Sequence, residues 1–388
     1  MKRRIQIAVF GSGLGHAARM SLVAEELVNQ GDTVFFSSFG HAVDYIRDLG
    51  FHCERVPSLD VKWDEEGVSL KNTVRELPIL SSKFVQQVRK ENQIMKRLHP
   101  DIVVSDTRLS AVAAAYIRKI PSITVTNQIR ILLPPKFHKR TLNKVEDTVA
   151  ELLGLLWSRS QIIVVPDIPS PYTISEANTG RIRSTYGKVK YAGFMSPTSR
   201  FITEQLAKVS KELELNTKKR IVFAQVSGPP NTKGKLIDFI RKAANILSDR
   251  FNFVISKGEV GGDKKPSKIK GGWIYEWCPV KDEMFSLADI LVVRGGHASI
   301  SQAILYGKPI ITIPILDHSE QIANATRVKE IGFGILLNPE TISAKKISSA
   351  ISKLNDDISI KKKMVELNMI AQNLNGTNNT VNIINSLI

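Results

Sequence analysis

The sequence is poor in cysteine and has no apolar segment of membrane-spanning length. Among its 388 residues only Cys53 and Cys278 are cysteines, and they lie far apart without metal-ligand spacing. This excludes a disulfide framework and favours a reducing, cytoplasmic setting. The basic start resembles a signal peptide, but the apolar run after it ends at Gly11, which predicts a strand instead. No run approaches the roughly 18 apolar residues of a transmembrane helix, so we expect any membrane contact to be peripheral.

Acidic residues are also few relative to basic ones. The chain has 37 Asp and Glu against 54 Lys and Arg, a formal net charge of +17, which implies an anionic partner such as a nucleotide, nucleic acid or lipid headgroups. The basic residues are scattered over predicted loops without interleaved aromatic residues, which argues against nucleic acid. No Asp-x-Asp pair occurs, so we expect no metal that bridges a diphosphate.

The chain does contain a strand, glycine turn and helix alternation, and it occurs twice. Residues 5–10 predict a strand, residues 11–16 a turn and residues 17–30 a helix. A small polar linker follows near residues 195–199, and a second series of the same kind begins at residue 221. Residues 258–272, rich in lysine and glycine, are predicted to be a surface loop. Such alternation is typical of parallel sheets flanked by helices, so the fold class is predicted to be α/β.

The first glycine turn is an incomplete dinucleotide-binding fingerprint. His16 takes the place of the third glycine after Gly11 and Gly13, where a side chain impairs packing of the helix on the sheet. This argues against NAD or FAD as a cofactor. Asp106 ends a later predicted strand, and ligands bind outside the carboxyl ends of parallel strands, so Asp106 and the turn are expected at one edge. The alternative is that Asp106 caps the helix predicted from Ser110.

The strongest local signal is a buried strand at residues 290–293 that ends in two glycines and opens a helix near Ser299. Backbone N–H groups at a helix N-terminus attract anions. A second apolar run, residues 309–316, ends in a polar cluster, so two strand ends meet at one crevice. The pattern predicts a site for a phosphorylated, hydroxyl-rich ligand. Its predicted members are Arg294, Gly295, Gly296, His297, Ala298, Ser299, Glu320 and Gln321.

Residues 130–159 combine basic and large apolar side chains. The basic ones are Arg130, Lys136, His138, Lys139, Arg140 and Lys144, and the apolar ones include Leu152, Leu153, Leu155, Leu156 and Trp157. One interpretation is a basic loop followed by a core helix. The other is a membrane-facing loop and amphipathic helix near an acceptor site, because basic groups beside exposed Leu and Trp suit an anionic interface.

Five motifs together resemble, in order and spacing, the nucleotide-sugar glycosyltransferases of the GT-B superfamily. They are the glycine turn with His16, Trp277-x-Pro279, Arg294-Gly-Gly-x-x-Ser299, Gly307-x-Pro309 and Glu320-Gln321-x-x-Asn324-Ala325. The resemblance is greatest to the UDP-glycosyltransferases and to the transferase that adds N-acetylglucosamine to a lipid-linked peptidoglycan precursor. It implies two facing Rossmann-like domains, residues 1–195 for the acceptor and 200–365 for the nucleotide sugar, with a C-terminal helix, 366–388, that packs back on the first.

The same resemblance implies roles for particular residues. His16 stands where the family has its base, and Asp106 where some members place the carboxylate that orients it. Trp277 would stack near the uracil, unless it is a core residue. Gln302 replaces a Glu that grips the ribose, so ribose binding would be weaker or rearranged, unless Gln302 is a plain surface residue. The implied donor site contains Gly13, Ser227, Trp277, Gln302 and the residues named above, with Arg294 and Ser299 on the diphosphate and Glu320 and Gln321 on sugar hydroxyls.

The chemistry agrees with this assignment. A histidine is suited to take the proton of an acceptor hydroxyl, and Arg294 with helix N–H groups is suited to stabilise a leaving diphosphate. We therefore predict an inverting, metal-independent hexosyltransferase that uses a UDP-sugar and no cofactor. Its expected acceptor is a lipid or lipid-linked hydroxyl or phosphate at an anionic membrane surface. The alternatives are an epimerase or hydrolase of the same architecture, which would carry more carboxylates around the sugar, and a nucleic-acid-binding protein, favoured only by net charge.

Overall fold

The chain folds into two α/β units, each built on a seven-stranded sheet. In the computed structural model, residues 2–59, 63–64, 67–68, 70–133, 140–180, 182–196 and 203–388 are described. The first unit comprises residues 1–62, 68–196 and 373–388, and the second residues 63–67 and 197–372. Within the described helices, none is long and apolar enough to cross a membrane.

The first part of the chain alternates strands and helices up to residue 191. Its elements are β1 (Arg4–Val9), α1 (Gly15–Asn29), β2 (Thr33–Ser38), α2 (His41–Asp48), β3 (Cys53–Arg55), β4 (Trp63–Asp64), β5 (Gly67–Val68), α3 (Leu70–Leu98), β6 (Ile102–Asp106), α4 (Leu109–Arg118), β7 (Ser122–Val125), α5 (Arg140–Trp157), β8 (Ile162–Val165), α6 (Glu176–Thr179) and β9 (Val189–Tyr191).

The second part repeats the alternation and ends in three helices. Its elements are α7 (Thr203–Glu212), β10 (Arg220–Gln225), α8 (Gly234–Ile246), β11 (Phe251–Ser256), β12 (Ser267–Ile269), β13 (Gly272–Tyr275), α9 (Lys281–Leu287), β14 (Ile290–Val293), α10 (His297–Leu305), β15 (Ile310–Thr312), α11 (Ser319–Ile331), β16 (Gly334–Leu336), α12 (Ala344–Asp356), α13 (Ile358–Gln372) and α14 (Gly376–Asn385).

The first sheet is parallel throughout, in the order β3-β2-β1-β6-β7-β8-β9. Its inner strands β1 and β6 are rich in Ile, Val and Ala and are buried along almost their whole length, as expected of strands covered by helices on both faces. The order reverses between β1 and β6, where Val9 pairs with Asp106. The turn after β1 and the end of β6 therefore lie at the switch point of the sheet, the usual ligand position in such folds.

The second sheet has the order β12-β13-β11-β10-β14-β15-β16, and only β12 is antiparallel. The order reverses between β10 and β14, where Gln225 pairs with Val293. Arg294 follows β14 directly and Ser227 lies two residues after the end of β10, so both lie at the second switch point. The prediction that residues 258–272 form a surface loop is only partly right, because β12 forms within them and pairs with β13. The predicted α/β class with two mainly parallel, helix-flanked sheets is confirmed.

The last helix belongs to the first unit. Val381 and Ile384 of α14 are buried in the same core as Met20 and Leu27 of α1, and Asn379 Nδ2 donates to the carbonyl of Ala192 at 2.8 Å. The first unit is thus closed by residues from both ends of the chain.

Candidate active site

The first unit brings His16 and Asp106 into direct contact. His16 is the second residue of α1 and Asp106 the last of β6, and His16 Nδ1 lies 2.8 Å from Asp106 Oδ1. The Asp106 side chain is fully buried, whereas that of His16 is 23% exposed. The alternative that Asp106 caps α4 is wrong, because the N-cap of α4 is Arg108 and no side chain caps it.

Arg19, which was not among the residues predicted from the sequence, completes this cluster. It lies one turn after His16 on α1 and is 8% exposed. Its Nε donates to Asp106 Oδ2 at 2.6 Å, its Nη2 donates to Asp106 Oδ1, and its Nη1 donates to Asn127 Oδ1 at 3.2 Å. An arginine that donates two hydrogen bonds to one carboxylate fixes the orientation of that carboxylate and stabilises its negative charge. Arg19 therefore holds Asp106 in the position from which it contacts His16.

The ionisation of Asp106 determines which nitrogen of His16 carries the proton. Burial alone raises the pKa of Asp106, but the charges of Arg19 and His16 and hydrogen bonds from both lower it to about 2. Arg19 Nη2 also lies 3.1 Å from His16 Nδ1, but the contact with Asp106 is shorter, at 2.8 Å. An ionised carboxylate has no proton to donate, so Nδ1 of His16 donates to Asp106 and does not accept a hydrogen bond from Arg19. The lone pair of Nε2 then remains to accept a proton, which is the tautomer that a general base requires.

This depressed pKa predicts a pH-dependent contribution to stability. The pKa of Asp106 falls from 3.8 to about 2 on folding, so its ionised form stabilises the fold above about pH 4, and this contribution is lost as the pH falls through about 2. We expect the stability difference between the wild type and Asp106→Asn to shrink by about 2 kcal/mol between pH 5 and pH 2. Urea unfolding at several pH values measures it.

The matched control for this prediction is Asp44→Asn. Asp44 forms an exposed ion pair with Arg55, and exposed pairs contribute little, so its stability difference from the wild type should change much less with pH. A pH-independent difference for Asp106→Asn would show that the carboxylate is not stabilised by ionisation in the folded chain.

The second unit places Arg294 at the switch point between β10 and β14. Arg294 is 5% exposed, and its Nη2 donates to the carbonyl of Thr232 at 3.3 Å. Burial lowers the pKa of Arg294 to about 10. Gly295, at φ +98°, lies under α11, because a Cβ there would come within 2.8 Å of the Gln321 carbonyl. The glycine therefore permits the close approach of α11 to the end of β14.

The helix that follows starts two residues earlier than predicted, at His297. Its first turn supplies N–H groups of the kind that bind anions, and it contains Ala298, which is exposed, and Ser299, which is partly exposed. His297 is buried, with its Nδ1 3.4 Å from Ser301 Oγ. Ser227 is partly exposed and lies just after β10. The residues that the sequence predicts to bind an anion therefore lie together at one edge of this sheet.

Gln302 is not the plain surface residue that was one alternative. It is 4% exposed, and its Nε2 donates to Asp282 Oδ1 at 2.6 Å. Asp282 lies in the first turn of α9, directly after the Trp277-x-Pro279 motif. A carboxylate is therefore present beside Gln302, but on a neighbouring helix. Trp277 is partly exposed and lies outside the buried core, which disfavours a purely structural role.

Glu320 and Gln321 occupy the first turn of α11, at the same edge. Glu320 is partly exposed, whereas Gln321 is buried and its Oε1 accepts a hydrogen bond from the Ile315 N–H at 3.0 Å. The side-chain carbonyl of Gln321 is thus hydrogen-bonded to the loop that precedes α11. Gly13, in the first unit, is exposed at φ +84°, and no heavy atom lies within 4 Å of the position that a Cβ would take there.

Among the described residues, three of the buried side-chain polar atoms without a protein partner lie at the second switch point, and the others lie in the first unit. The three are Gln225 Oε1, Arg294 Nε and Asn324 Oδ1. Gln225 ends β10, Arg294 follows β14, and Asn324 Nδ2 donates to the Gly295 carbonyl at 3.3 Å. Buried polar groups are normally paired by protein, water or ligand, so these three atoms are available to pair with water or a ligand at this edge. Sequence inspection had not selected Gln225.

Each half of the chain matches a known protein family. Glycosyl transferase family 1 matches residues 3–154, and the C-terminal domain of glycosyltransferase family 28 matches residues 231–377. An uncharacterized glycosyltransferase of Methanosarcina acetivorans is 26% identical over 396 residues, covering 96% of this chain and 95% of its own. The UDP-N-acetylglucosamine–N-acetylmuramyl-(pentapeptide) pyrophosphoryl-undecaprenol N-acetylglucosamine transferase of Clostridium botulinum is 23% identical over 303 residues, 76% of this chain and 74% of its own.

Solved structures share the fold at low sequence identity. The kitacinnamycin glycosyltransferase aligns with a TM-score of 0.72 and 15% identity, over 100% of this chain and 99% of its own. The glycosyltransferase SsfS6 of Streptomyces sp. SF2575, complexed with thymidine diphosphate, aligns with a TM-score of 0.68 and 16% identity over 99% of each chain.

Two Rossmann-like units, each a mainly parallel sheet flanked by helices, are the architecture of a GT-B glycosyltransferase. The chain belongs to that superfamily, which includes the UDP-glycosyltransferases and the lipid-intermediate N-acetylglucosaminyltransferases. It is an enzyme that transfers sugars, as the sequence motifs predicted.

Proposed function

We propose that the protein is an inverting, metal-independent transferase that moves a sugar from a UDP-sugar to a hydroxyl or phosphate of a lipid or lipid-linked acceptor. The observation that carries this proposal is the contact between His16 Nδ1 and the buried Asp106. It orients an imidazole with a basic Nε2 at the switch point of the first sheet. Direct attack by an acceptor oxygen, with His16 as the base, inverts the anomeric carbon.

In the proposed reaction one bond forms while another breaks. His16 Nε2 takes the proton of the acceptor hydroxyl as its oxygen bonds to the anomeric carbon, and the bond from that carbon to the diphosphate breaks. Asp106 stabilises the imidazolium that results. The negative charge that develops on the diphosphate is stabilised by Arg294 and by the N–H groups at the start of α10.

The donor experiment uses a panel of UDP- and dTDP-sugars, because the names of the similar proteins include both nucleotides. Release of nucleoside diphosphate is measured in excess chelator, with and without a membrane extract. The proposal predicts release from a UDP-sugar that requires the extract and persists in chelator. Equal release without the extract would indicate a hydrolase, and strict dependence on added Mn²⁺ or Mg²⁺ would contradict metal independence.

The acceptor side of the proposal is supported by an exposed apolar face on α5. Val145, Val149, Leu152 and Leu156 recur at helical spacing and are each 38–58% exposed. Trp157 does not belong to this face, because it is buried in the core with Ala150; the part of the membrane interpretation that used an exposed Trp is wrong. Lys136, His138 and Lys139 of the preceding basic loop lie outside the described residues.

We propose that this face, called here the α5 face, rests on an anionic membrane that holds the acceptor. Its apolar side chains would enter the interface, and the net charge of +17 would favour anionic lipid. The protein would then act as a peripheral enzyme on the cytoplasmic side of a membrane. The free energy of binding to a membrane interface grows roughly in proportion to the apolar area that the protein buries there.

The double variant Leu152→Glu/Leu156→Glu should therefore lose binding to vesicles of anionic lipid by at least about tenfold, because each Leu contributes on the order of 1.5–3 kcal/mol when buried. Vesicle cosedimentation measures this loss. The control is Asn143→Glu, which adds charge on the opposite side of α5 by helical spacing and should bind nearly as the wild type does. Unchanged binding of the double variant would remove the α5 face from the proposal.

A further inference from the structure

Lys233 is a buried cation next to the donor crevice that the proposed mechanism does not use. It is 4% exposed and lies immediately before α8, in the loop that follows β10. Its Nζ donates to the carbonyls of Lys257 at 2.9 Å and Gly258 at 3.1 Å, just beyond the end of β11. Neither acceptor carries a charge, so these bonds satisfy two donors of the ammonium without neutralising it.

Arg294 approaches the same loop from the other side. Its guanidinium donates to the carbonyl of Thr232, the residue before Lys233. The loop between β10 and α8 is thus held by Lys233 on the side of β11 and by Arg294 on the side of β14. These are the strands on either side of β10, so both cations lie at the switch point.

Neither cation has an ion-pair partner in the described part of the chain. Lys257, which lies nearby, forms an ion pair with Glu276 at 3.5 Å. Glu259 attracts the Lys233 ammonium, but the two side chains are too far apart to form an ion pair. Burial, together with repulsion by Arg294 and Lys257, lowers the pKa of Lys233. The pKa of His318 is lowered by burial and by Arg294, against the attraction of Glu320.

Two buried like charges without a counter-ion are costly, because each has lost water and they repel each other. An anion bound between them would remove both penalties. The unpartnered Nε of the buried Arg294 and the adjacent N-terminus of α10 are further donors for such an anion. A nucleoside diphosphate carries two phosphate groups, so it matches these two cations and the helix N-terminus better than an anion with one charged group does.

We propose that Lys233 is a diphosphate-binding residue of the donor site and forms with Arg294 a two-cation clamp on the leaving group. This inference rests on the proposed use of a nucleoside diphosphate sugar. Two fixed cations perform here the charge neutralisation for which other transferases use a divalent ion, and their arrangement before substrate arrives requires no rearrangement during bond cleavage.

The experiment is a titration calorimetry comparison of UDP, UMP and uridine on the full chain. The variant Lys233→Gln removes the charge but keeps an amide N–H that can donate to the Lys257 and Gly258 carbonyls. We expect it to weaken UDP binding about ten- to a hundredfold, as for loss of a charged hydrogen bond, with uridine binding nearly unchanged. Lys233→Arg, which keeps the charge, should retain most of the affinity for UDP.

The control is Lys268→Met, which makes the same change in net charge at an exposed lysine paired with Glu214 and should leave UDP binding unchanged. Equal UDP affinity in Lys233→Gln and the wild type would overturn the inference. Equal weakening of UDP and uridine would also overturn it, since that result indicates a purely structural tether. If the wild type binds none of the three ligands, the proposed donor itself is wrong.

Discussion

His16→Ala should abolish sugar transfer while leaving donor binding intact. Loss of a general base typically lowers kcat by about 10²–10⁴-fold, and no other described side chain contacts Asp106 with a nitrogen that can accept a proton. His16 belongs to the first unit, whereas Arg294 and the start of α10 belong to the second. Single-turnover transfer and UDP titration of the same preparation measure the two properties separately.

The matched control is His52→Ala, in the same unit. The His52 side chain is 61% exposed and contacts Glu54 rather than the switch point, so its removal should change kcat by less than about twofold on the expectation for surface sites. A His16→Ala variant with wild-type kcat would remove His16 from the mechanism. A variant that loses UDP affinity together with kcat would indicate a wider disturbance of the fold.

The fold was predictable because its signals are local. Buried parallel strands read as short apolar runs, such as Ile290–Val293, and each is followed by a turn and a helix. The boundaries were less accurate: β15 is limited to Ile310–Thr312 although the apolar run continues to Leu316. A run of apolar residues does not reveal where ladder pairing with the neighbouring strands stops.

The candidate site was predictable where a motif encodes it and not where tertiary packing creates it. His16 and Asp106 follow from the rule that strand ends share an edge. Arg19 and Lys233 do not, because nothing in a helix sequence shows that an arginine one turn along turns inward to a carboxylate 87 residues away. The Asp282 carboxylate beside Gln302 was equally hidden, since the pair joins two helices.

Glu91→Leu should strongly destabilise the first unit. Glu91 is fully buried, and its Oε1 lies 2.7 Å from Arg108 Nη2, itself buried. Gln6 Nε2 and Ser37 Oγ also donate to this carboxylate at 2.6 and 2.8 Å. Removing the carboxylate leaves the Arg108 charge buried and unpaired, which costs about 3–5 kcal/mol. Urea unfolding followed by circular dichroism measures the loss.

A double-mutant cycle tests whether the loss comes from the orphaned charge. Because the penalty arises from Arg108, the variant Glu91→Leu/Arg108→Met should recover at least about 2 kcal/mol relative to Glu91→Leu alone. Asp44→Ala, which breaks an exposed ion pair with Arg55, should cost less than about 1 kcal/mol. Additive losses at residues 91 and 108 would mean that the two charges do not interact.

Arg108 also donates to the Ser37 carbonyl of β2 and lies two residues after Asp106. The pair thus ties α3 and β2 to the segment that carries Asp106, the proposed partner of the base, so the stability of the pair and the geometry of the proposed base are coupled.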